Sequence, residues 1–306
     1  MRLGVDLGGT KIEVLALGEG GKVHLRERVP TPQTAYEDTV RAIADLVRAA
    51  EAKLGRRGTL GLAIPGTISP VTGLVKNANS TRLIGHPLDK DLGEALARPV
   101  RVANDANCFA LSEASDGAAA GKDIVFGIIA GTGVGGGVCI GGHVLTGAHA
   151  IAGEWGHNPL PALTPEEFSA QPSCYCGKKG CIEAWCSGPA VAAEFARRTG
   201  KKLIAAEIAD AAAKGDAEAQ AVLERLYDRF ARAIATLINV LDPDAIVLGG
   251  GLSNIDTLYA ELPPRVEHYA FTPQGTTAIL KNKHGDSSGV RGAAWLWSEA
   301  EAAQAQ

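Results

Sequence analysis

The sequence predicts an α/β protein built in two halves, and three observations carry that prediction. Short apolar, β-branched runs end in glycine clusters, helical stripes fill the segments between them, and two similar strand–glycine–strand segments stand about half a chain apart. At 306 residues the chain is long enough for two domains, each with its own core.

The first run, Arg2-Leu3-Gly4-Val5, enters the polar loop Asp6-Leu7-Gly8-Gly9-Thr10-Lys11, after which Ile12 to Leu17 resumes strand character, so this loop is expected to be a hairpin. Thr34 to Leu54 carries Val40, Ile43, Ala44 and Val47 at helical spacing. Val100-Arg101-Val102-Ala103 reads as a strand that ends at Asn104-Asp105-Ala106-Asn107, before an apolar helix at Cys108-Phe109-Ala110-Leu111. The stretch from Gly117 to Lys122, poor in large apolar residues, is the boundary expected between the halves. Ile124 to Ala130 then enters Gly131-Thr132-Gly133-Val134-Gly135-Gly136-Gly137, with extended Val138-Cys139-Ile140 after it, a second hairpin of the same design. Helices are expected after Gly188, around Ile204 to Lys214, from Asp216 to Leu241 and from Ser288 to the C-terminus. Asp242-Pro243 stops the third of these, since proline cannot continue a helix. Between the last two, Ala245-Ile246-Val247-Leu248 ends at Gly249-Gly250-Gly251.

Composition removes several function classes. Net charge is -4, acidic and basic residues are mixed along the chain, and aromatics are 5%, so there is neither a basic stripe nor a stacking platform for nucleic acid. No apolar leader precedes Asp6 and no segment reads as a membrane span, so a reducing, cytoplasmic location is expected.

Glycine-rich hairpins can cradle phosphate, because backbone N–H groups without a neighbouring Cβ approach an anion directly and a threonine hydroxyl adds a donor. Gly131 to Gly136 formally contains the G-x-G-x-x-G pattern, but a strand follows it where a dinucleotide fold needs a helix. Gly8-Gly9-Thr10-Lys11 lacks the glycine spacing of a Walker loop. A tight turn is the alternative for either loop alone; two such hairpins and a triple-glycine turn together point to a nucleotide. Asp6, at the mouth of the first loop, is placed to hold Mg²⁺ through water. Asp105 reads either as a helix cap or as a general base that takes a proton from a substrate hydroxyl, with Asn104 fixing another hydroxyl.

Three thiols and an imidazole are gathered in Glu154-Trp155-Gly156-His157 and Cys174-Tyr175-Cys176-Gly177-Lys178-Lys179-Gly180-Cys181. Three sulfurs and one ring nitrogen fill a tetrahedral Zn²⁺ shell, so His157, Cys174, Cys176 and Cys181 are the expected ligands; a disulfide or ordinary buried cysteines are the alternatives. Cys108, Cys139 and Cys186 lie singly in apolar segments as small core hydrophobes. With four protein ligands the metal has no open position for a reacting water, and its expected role is structural. Glu154 and Glu183 have no place in that shell and point to a substrate site beside it.

Asp6 to Lys11, Pro65-Gly66, Asn104 to Asn107, Gly131 to Gly133, Glu154-x-Gly156-His157 and the Cys174-x-Cys176-Gly177-x-x-Gly180-Cys181-x-Glu183 block resemble, in this order and over nearly the whole chain, the ROK sugar kinases (repressor, open reading frame, kinase). Lys76 to Ser80, Gly153 to Pro161 and His284 to Trp295 look like the bacterial fructokinase (mannokinase) branch. The resemblance implies a two-domain actin-like ATPase (ribonuclease H-like) fold with an interdomain cleft. A small N-terminal domain would span 1–117 plus 291–306, and a large domain with the inserted zinc loop 118–290. It implies ATP, Mg²⁺ and structural Zn²⁺ as cofactors and a homodimer as the assembly. Asp6, Gly8, Gly9, Thr10, Lys11, Gly131, Thr132 and Gly133 would meet phosphates; Gly188, Gly249, Gly250 and Gly251 would flank the adenosine. Gly66, Asn79, Asn104, Asp105, Glu154, His157 and Glu183 would meet the sugar, with Asp105 as the base. The expected reaction is transfer of the γ-phosphoryl group of ATP to O6 of a hexose, fructose first, with glucose and N-acetylated hexosamines as alternatives. The family's sugar-sensing regulators carry an N-terminal helix-turn-helix, for which there is no room before the first strand, so an enzyme is expected.

Overall fold

The computed structural model describes residues 1–78, 80–272 and 277–304. The first glycine loop is a hairpin: β1 (Arg2–Leu7) pairs antiparallel with β2 (Lys11–Leu17), and Leu7 lies opposite Ile12. β3 (Val23–Pro30) joins β2 antiparallel at the sheet edge. No strand was expected there, because polar His24 and charged Arg26 and Arg28 break the apolar run that marks a buried strand. α1 (Tyr36–Leu54) buries Ile43, Ala44 and Val47 and ends where Gly55 turns left-handed. β4 (Thr59–Ile64) lies parallel to β1, and β5 (Thr67–Ile68) with β6 (Val75–Lys76) forms a separate two-stranded ladder. After α2 (Leu88–Leu96), β7 (Val100–Asn104) runs parallel to β4 and leads directly into α3 (Asp105–Ser115). The resulting order β3-β2-β1-β4-β7, an antiparallel meander extended by two parallel strands, is the ribonuclease H-like arrangement.

The next elements are β8 (Ile124–Ala130), β9 (Val134–Ile140) and β10 (His143–Val144). β9 begins at Val134 rather than Val138, which corrects the longer turn expected from its glycines. A Cβ at Gly136 would run into the Trp155 and Phe126 rings and the Gly153 carbonyl, so glycine serves close packing inside a strand here. Helices α4 (Pro165–Ala170), α5 (Ile182–Cys186), α6 (Gly188–Thr199), α7 (Ala205–Ala213) and α8 (Ala217–Leu241) follow. Asp216 caps α8 and a left-handed Asp242 ends it, at the bounds expected from the sequence. β11 (Ala245–Gly249) lies parallel to β8; α9 (Leu258–Tyr269) leads to β12 (Ala278–Lys281), parallel to β11. The second sheet has the order β10-β9-β8-β11-β12, so β9-β8-β11-β12 repeats the plan of β2-β1-β4-β7.

The C-terminal segment is two helices, α10 (Ser288–Trp295) and α11 (Glu299–Gln304), where a single one was expected. The chain forms two compact units, Met1–Gly121 with Gly137–Ala152 and Asp286–Gln306, and Lys122–Gly136 with Gly153–Gly285. Within the first unit, β1, β2, β4 and α1 enclose a core of Leu3, Val5, Ile12, Val14, Ile43, Val47, Leu60 and Leu62. Leu15 and Leu17 instead pack on Val290 and Ala294 of α10, and Ala63 with Cys108 packs on Ala293. α10 approaches by backbone: a Cβ at Gly4 would overlap the Val290 carbonyl, one at Gly61 the Ala293 carbonyl, and one at Gly292 the Cys108 carbonyl. Ser288 donates to Glu113 at 2.8 Å, Arg291 pairs with Asp116 and donates to the Gly21 carbonyl at 2.9 Å, and the Arg2 guanidinium lies 3.8 Å over the Trp295 ring. Among the described residues no helix is long and apolar enough to cross a membrane. Gly61→Ala should cost about 1–3 kcal/mol or more, the range for forcing atoms into a filled core; urea unfolding measures it, and an unchanged midpoint would contradict the packing described.

Candidate active site

In the first unit, Asp6 sits one residue before the end of β1, half-buried. The loop after it is braced from outside: Gly8 N–H bonds the Lys11 carbonyl at 3.0 Å, Thr31 Oγ1 donates to the Gly8 carbonyl at 2.7 Å, and Gln33 Nε2 to the Gly9 carbonyl at 2.9 Å. Arg82 donates in turn to Gln33 Oε1 at 3.2 Å. Sequence reasoning missed Thr31 and Gln33, since neither carries a motif of its own. Gly9, Thr10 and Lys11 are exposed. Gly66 takes φ 138°, with its missing Cβ facing the Lys76 carbonyl at 2.8 Å and Ala78 Cα at 2.9 Å, so only glycine fits. Asn79, also expected at the sugar, lies outside the described residues.

The cap at the start of α3 is Asn104, whose Oδ1 accepts from Ala106 N–H at 2.9 Å. Asp105 is the first helical residue; its Oδ1 also accepts from Ala106 N–H, at 2.8 Å, and the residue is exposed. The Asn104 side chain thus caps α3, and Asp105 is its first helical residue. Burial, then the charges of Asp105 and Glu13, push the Asp6 carboxyl up to about 7. The charges of Lys11 and Arg28 only partly offset those of Asp105 and Glu13 around it.

In the second unit, Gly131, Thr132, Gly188 and Gly251 line one cavity of about 410 Å³. The remaining wall is apolar, with Pro189, Ala192, Ile204, Ala205 and Leu252. Gly188 N–H donates to the Gly131 carbonyl at 2.8 Å, which docks the start of α6 on the glycine hairpin. Ser187 caps that helix by accepting from Ala190 N–H at 3.3 Å. A helix N-terminus beside a glycine turn favours an anion, and an apolar wall favours a flat ring. Gly250, at φ 78°, passes close against the Ala130 carbonyl, while Gly249 closes β11 and Gly133 receives the Gly131 N–H at 2.9 Å.

The metal-binding expectation has matching geometry. His157, Cys174, Cys176 and Cys181 bring their ligand atoms within 4.8 Å of one another. Cys174 Sγ lies 3.6 Å from His157 Nδ1, and Cys176 Sγ 3.6 Å from Cys181 Sγ. Those two separations are close to the edges of a tetrahedron around zinc, about 3.5 Å between N and S and about 3.8 Å between two S atoms for bonds of 2.0 and 2.3 Å, and are far too long for a disulfide. Burial raises the Cys181 thiol to about 12, whereas the Lys178 backbone N–H lowers Cys176. Cys108, Cys139 and Cys186 are fully buried, as expected of core residues. Glu154 is exposed, but Glu183 is tied down: its Oε2 accepts from Val134 N–H at 2.9 Å and its Oε1 lies 3.7 Å from Cys174 Sγ. Glu183 thus links the second glycine hairpin to the cysteine cluster, a role its motif position did not reveal.

Helix α4 anchors this insert from beneath. Thr164 and Glu167 form a capping box at its start, a Thr-Pro-x-Glu signal legible in the sequence. Glu167 is buried between Arg229 and Arg232 of α8, at 2.8 and 2.9 Å, and Arg229 also pairs with Glu194 of α6. Burial alone would raise the Glu167 carboxyl; the hydrogen bonds from Arg232 and Arg229 outweigh it and hold it at about 2. Arg232 further donates to the carbonyls of Pro161 and Ala162 at 2.9 and 2.8 Å.

Elemental analysis should find about one zinc per chain, and Cys176→Ser should lose it; protein purified without chelator and free of zinc would contradict the ligand set. The Asp6 shift sets a second expectation. Unfolded Asp6 releases its proton near pH 4 whereas the folded residue keeps it to about pH 7, so metal-free protein loses stability as pH rises through that window and levels off above it. Asp6→Asn lacks this loss, and its urea midpoint should gain on the parent's from pH 4 to pH 8; a constant difference would contradict the raised value.

An N-acetyl-D-glucosamine kinase of Vibrio parahaemolyticus is 41% identical to this chain, over 97% of it and 99% of that protein. The crystal structure of a ROK hexokinase from Thermus thermophilus matches with a TM-score of 0.85 at 31% identity, covering 96% of this chain and 97% of the other. A ROK family glucokinase from Streptomyces griseus, solved with glucose and AMPPNP, matches with a TM-score of 0.76 at 28% identity over the same shares. Relatives near 40% identity bear the name N-acetyl-D-glucosamine kinase rather than fructokinase or mannokinase, which corrects the branch expected from the segments around Lys76, His157 and His284. The match to the ROK family runs over residues 2–300, and the chain belongs to that family, among its sugar kinases.

Proposed function

We propose that the protein phosphorylates N-acetyl-D-glucosamine with ATP, yielding the 6-phosphate and ADP. The observation that carries this reading is the similarity of about 40% along the full chain to kinases of that sugar. Asp105, exposed at the head of α3 beside the capping Asn104, takes the proton of the sugar hydroxyl as its oxygen bonds to the γ-phosphorus and the bond to the β-phosphate oxygen breaks. Asp6 would hold Mg²⁺, which when bound would supply positive charge to offset the phosphates. The cavity of Gly131, Thr132, Gly188 and Gly251 takes the nucleotide, its apolar wall against adenine and the α6 N-terminus towards phosphate. His157, Glu154 and Glu183 belong to the sugar-reading surface; His157 and the three cysteines would hold a zinc ion that stiffens this segment without supplying reaction chemistry. Glucose is the second reading, supported by the Streptomyces glucokinase solved with glucose.

A coupled ADP-release assay with Mg²⁺-ATP should give a kcat/KM for N-acetylglucosamine at least about tenfold above those for glucose, mannose and fructose, a preference typical of hydrogen-bond recognition. No turnover with any hexose would sink the kinase reading. Asp105→Asn should lose about 10²–10⁴-fold in kcat while the sugar KM stays within a few-fold; activity close to the parent's would reduce Asp105 to a structural residue of the helix start.

A further inference from the structure

Between two of the proposed zinc ligands stands Tyr175, a large aromatic residue that is 76% exposed. Its hydroxyl lies 3.1 Å from His157 Nε2, and the two rings meet edge to face with centroids 5.2 Å apart. The other nitrogen, Nδ1, faces Cys174 Sγ, so it is the one that turns its lone pair to the metal. The imidazole proton then resides on Nε2 and is donated to the phenol oxygen. Among the described residues no acceptor receives the phenol's own proton. A hydroxyl that accepts a hydrogen bond becomes a stronger donor through polarisation, and this one is held in place by a ring anchored on a metal ligand.

The two carboxylates near Tyr175, Glu183 and Glu154, accept hydrogen bonds only. They suit sugar hydroxyls, which can give a proton. An acetamido carbonyl cannot; it needs a donor. We propose that Tyr175 Oη donates to the carbonyl oxygen of the substrate's 2-acetamido group and so separates N-acetylated hexoses from plain ones. This rests on the sugar-kinase reading above and adds to it the residue that reads the acyl group.

The test is calorimetric titration of N-acetylglucosamine and of glucose, without ATP, into the purified protein and into Tyr175→Phe, which keeps the ring and its contact with His157. Loss of one neutral hydrogen bond predicts a Kd for N-acetylglucosamine raised about three- to tenfold, with the glucose Kd within twofold and the zinc content unchanged. An unchanged Kd for N-acetylglucosamine, or an equal rise for both sugars, overturns the assignment while leaving the kinase reading intact. A parent protein that prefers glucose overturns the N-acetylglucosamine reading and this assignment with it, and one that binds neither sugar counts against the sugar-kinase reading as well.

Discussion

Three glycines allow α10 to lie with its backbone against the backbones of β1, β4 and α3, and the geometry of the first unit follows from that contact. Gly4, Gly61 and Gly292 leave no room for a single added carbon. The strand and the helix so fixed are those that carry Asp6 and Asp105, one near the end of β1 and the other at the head of α3. Gly289 of α10 also stands over Asp6, with space for a Cβ only 3.5 Å from its carboxylate. Residues some 280 positions apart in sequence thereby help set the buried surroundings that push Asp6 up to about 7.

The second unit solves a different problem, since an irregular insert must be held without regular ladders of its own. Two devices do this at opposite ends. The His157–Cys174–Cys176–Cys181 cluster closes the tip on a metal, in the reading proposed, and Glu183 ties it to the glycine hairpin through Val134. At the base, Glu167 sits between Arg229 and Arg232 of the long helix α8. Breaking a buried pair of that kind is expensive because the abandoned charge stays buried, so the insert is anchored by an interaction with a steep penalty for loss.

Local features were legible in the sequence. The hairpin that sets Leu7 opposite Ile12 and the bounds of α8 at Asp216 and Asp242 rest on residue pattern and capping, which act over a few positions. The His157 and cysteine spacing was equally local. Features that depend on what lies across the fold were not. Gly135 to Gly137 read as a turn because glycine usually marks one, yet they belong to β9 under the Trp155 and Phe126 rings. Glu183 read as a free carboxylate facing a ligand, and nothing near it in sequence announced Val134. Thr164-Pro165-x-Glu167 was a readable capping signal that went unused. The sugar itself was the least legible of all: groups that bind hydroxyls common to every hexose say little about the substituent that differs.

If the protein transfers a phosphoryl group to a sugar hydroxyl rather than to water, phosphorus NMR of the complete reaction will record the product. Purified protein with ATP, Mg²⁺ and N-acetylglucosamine should produce ADP together with a phosphomonoester resonance split by the two protons on C6, in equal amounts. ADP accompanied by inorganic phosphate alone, or an ATP spectrum that does not change, would contradict it.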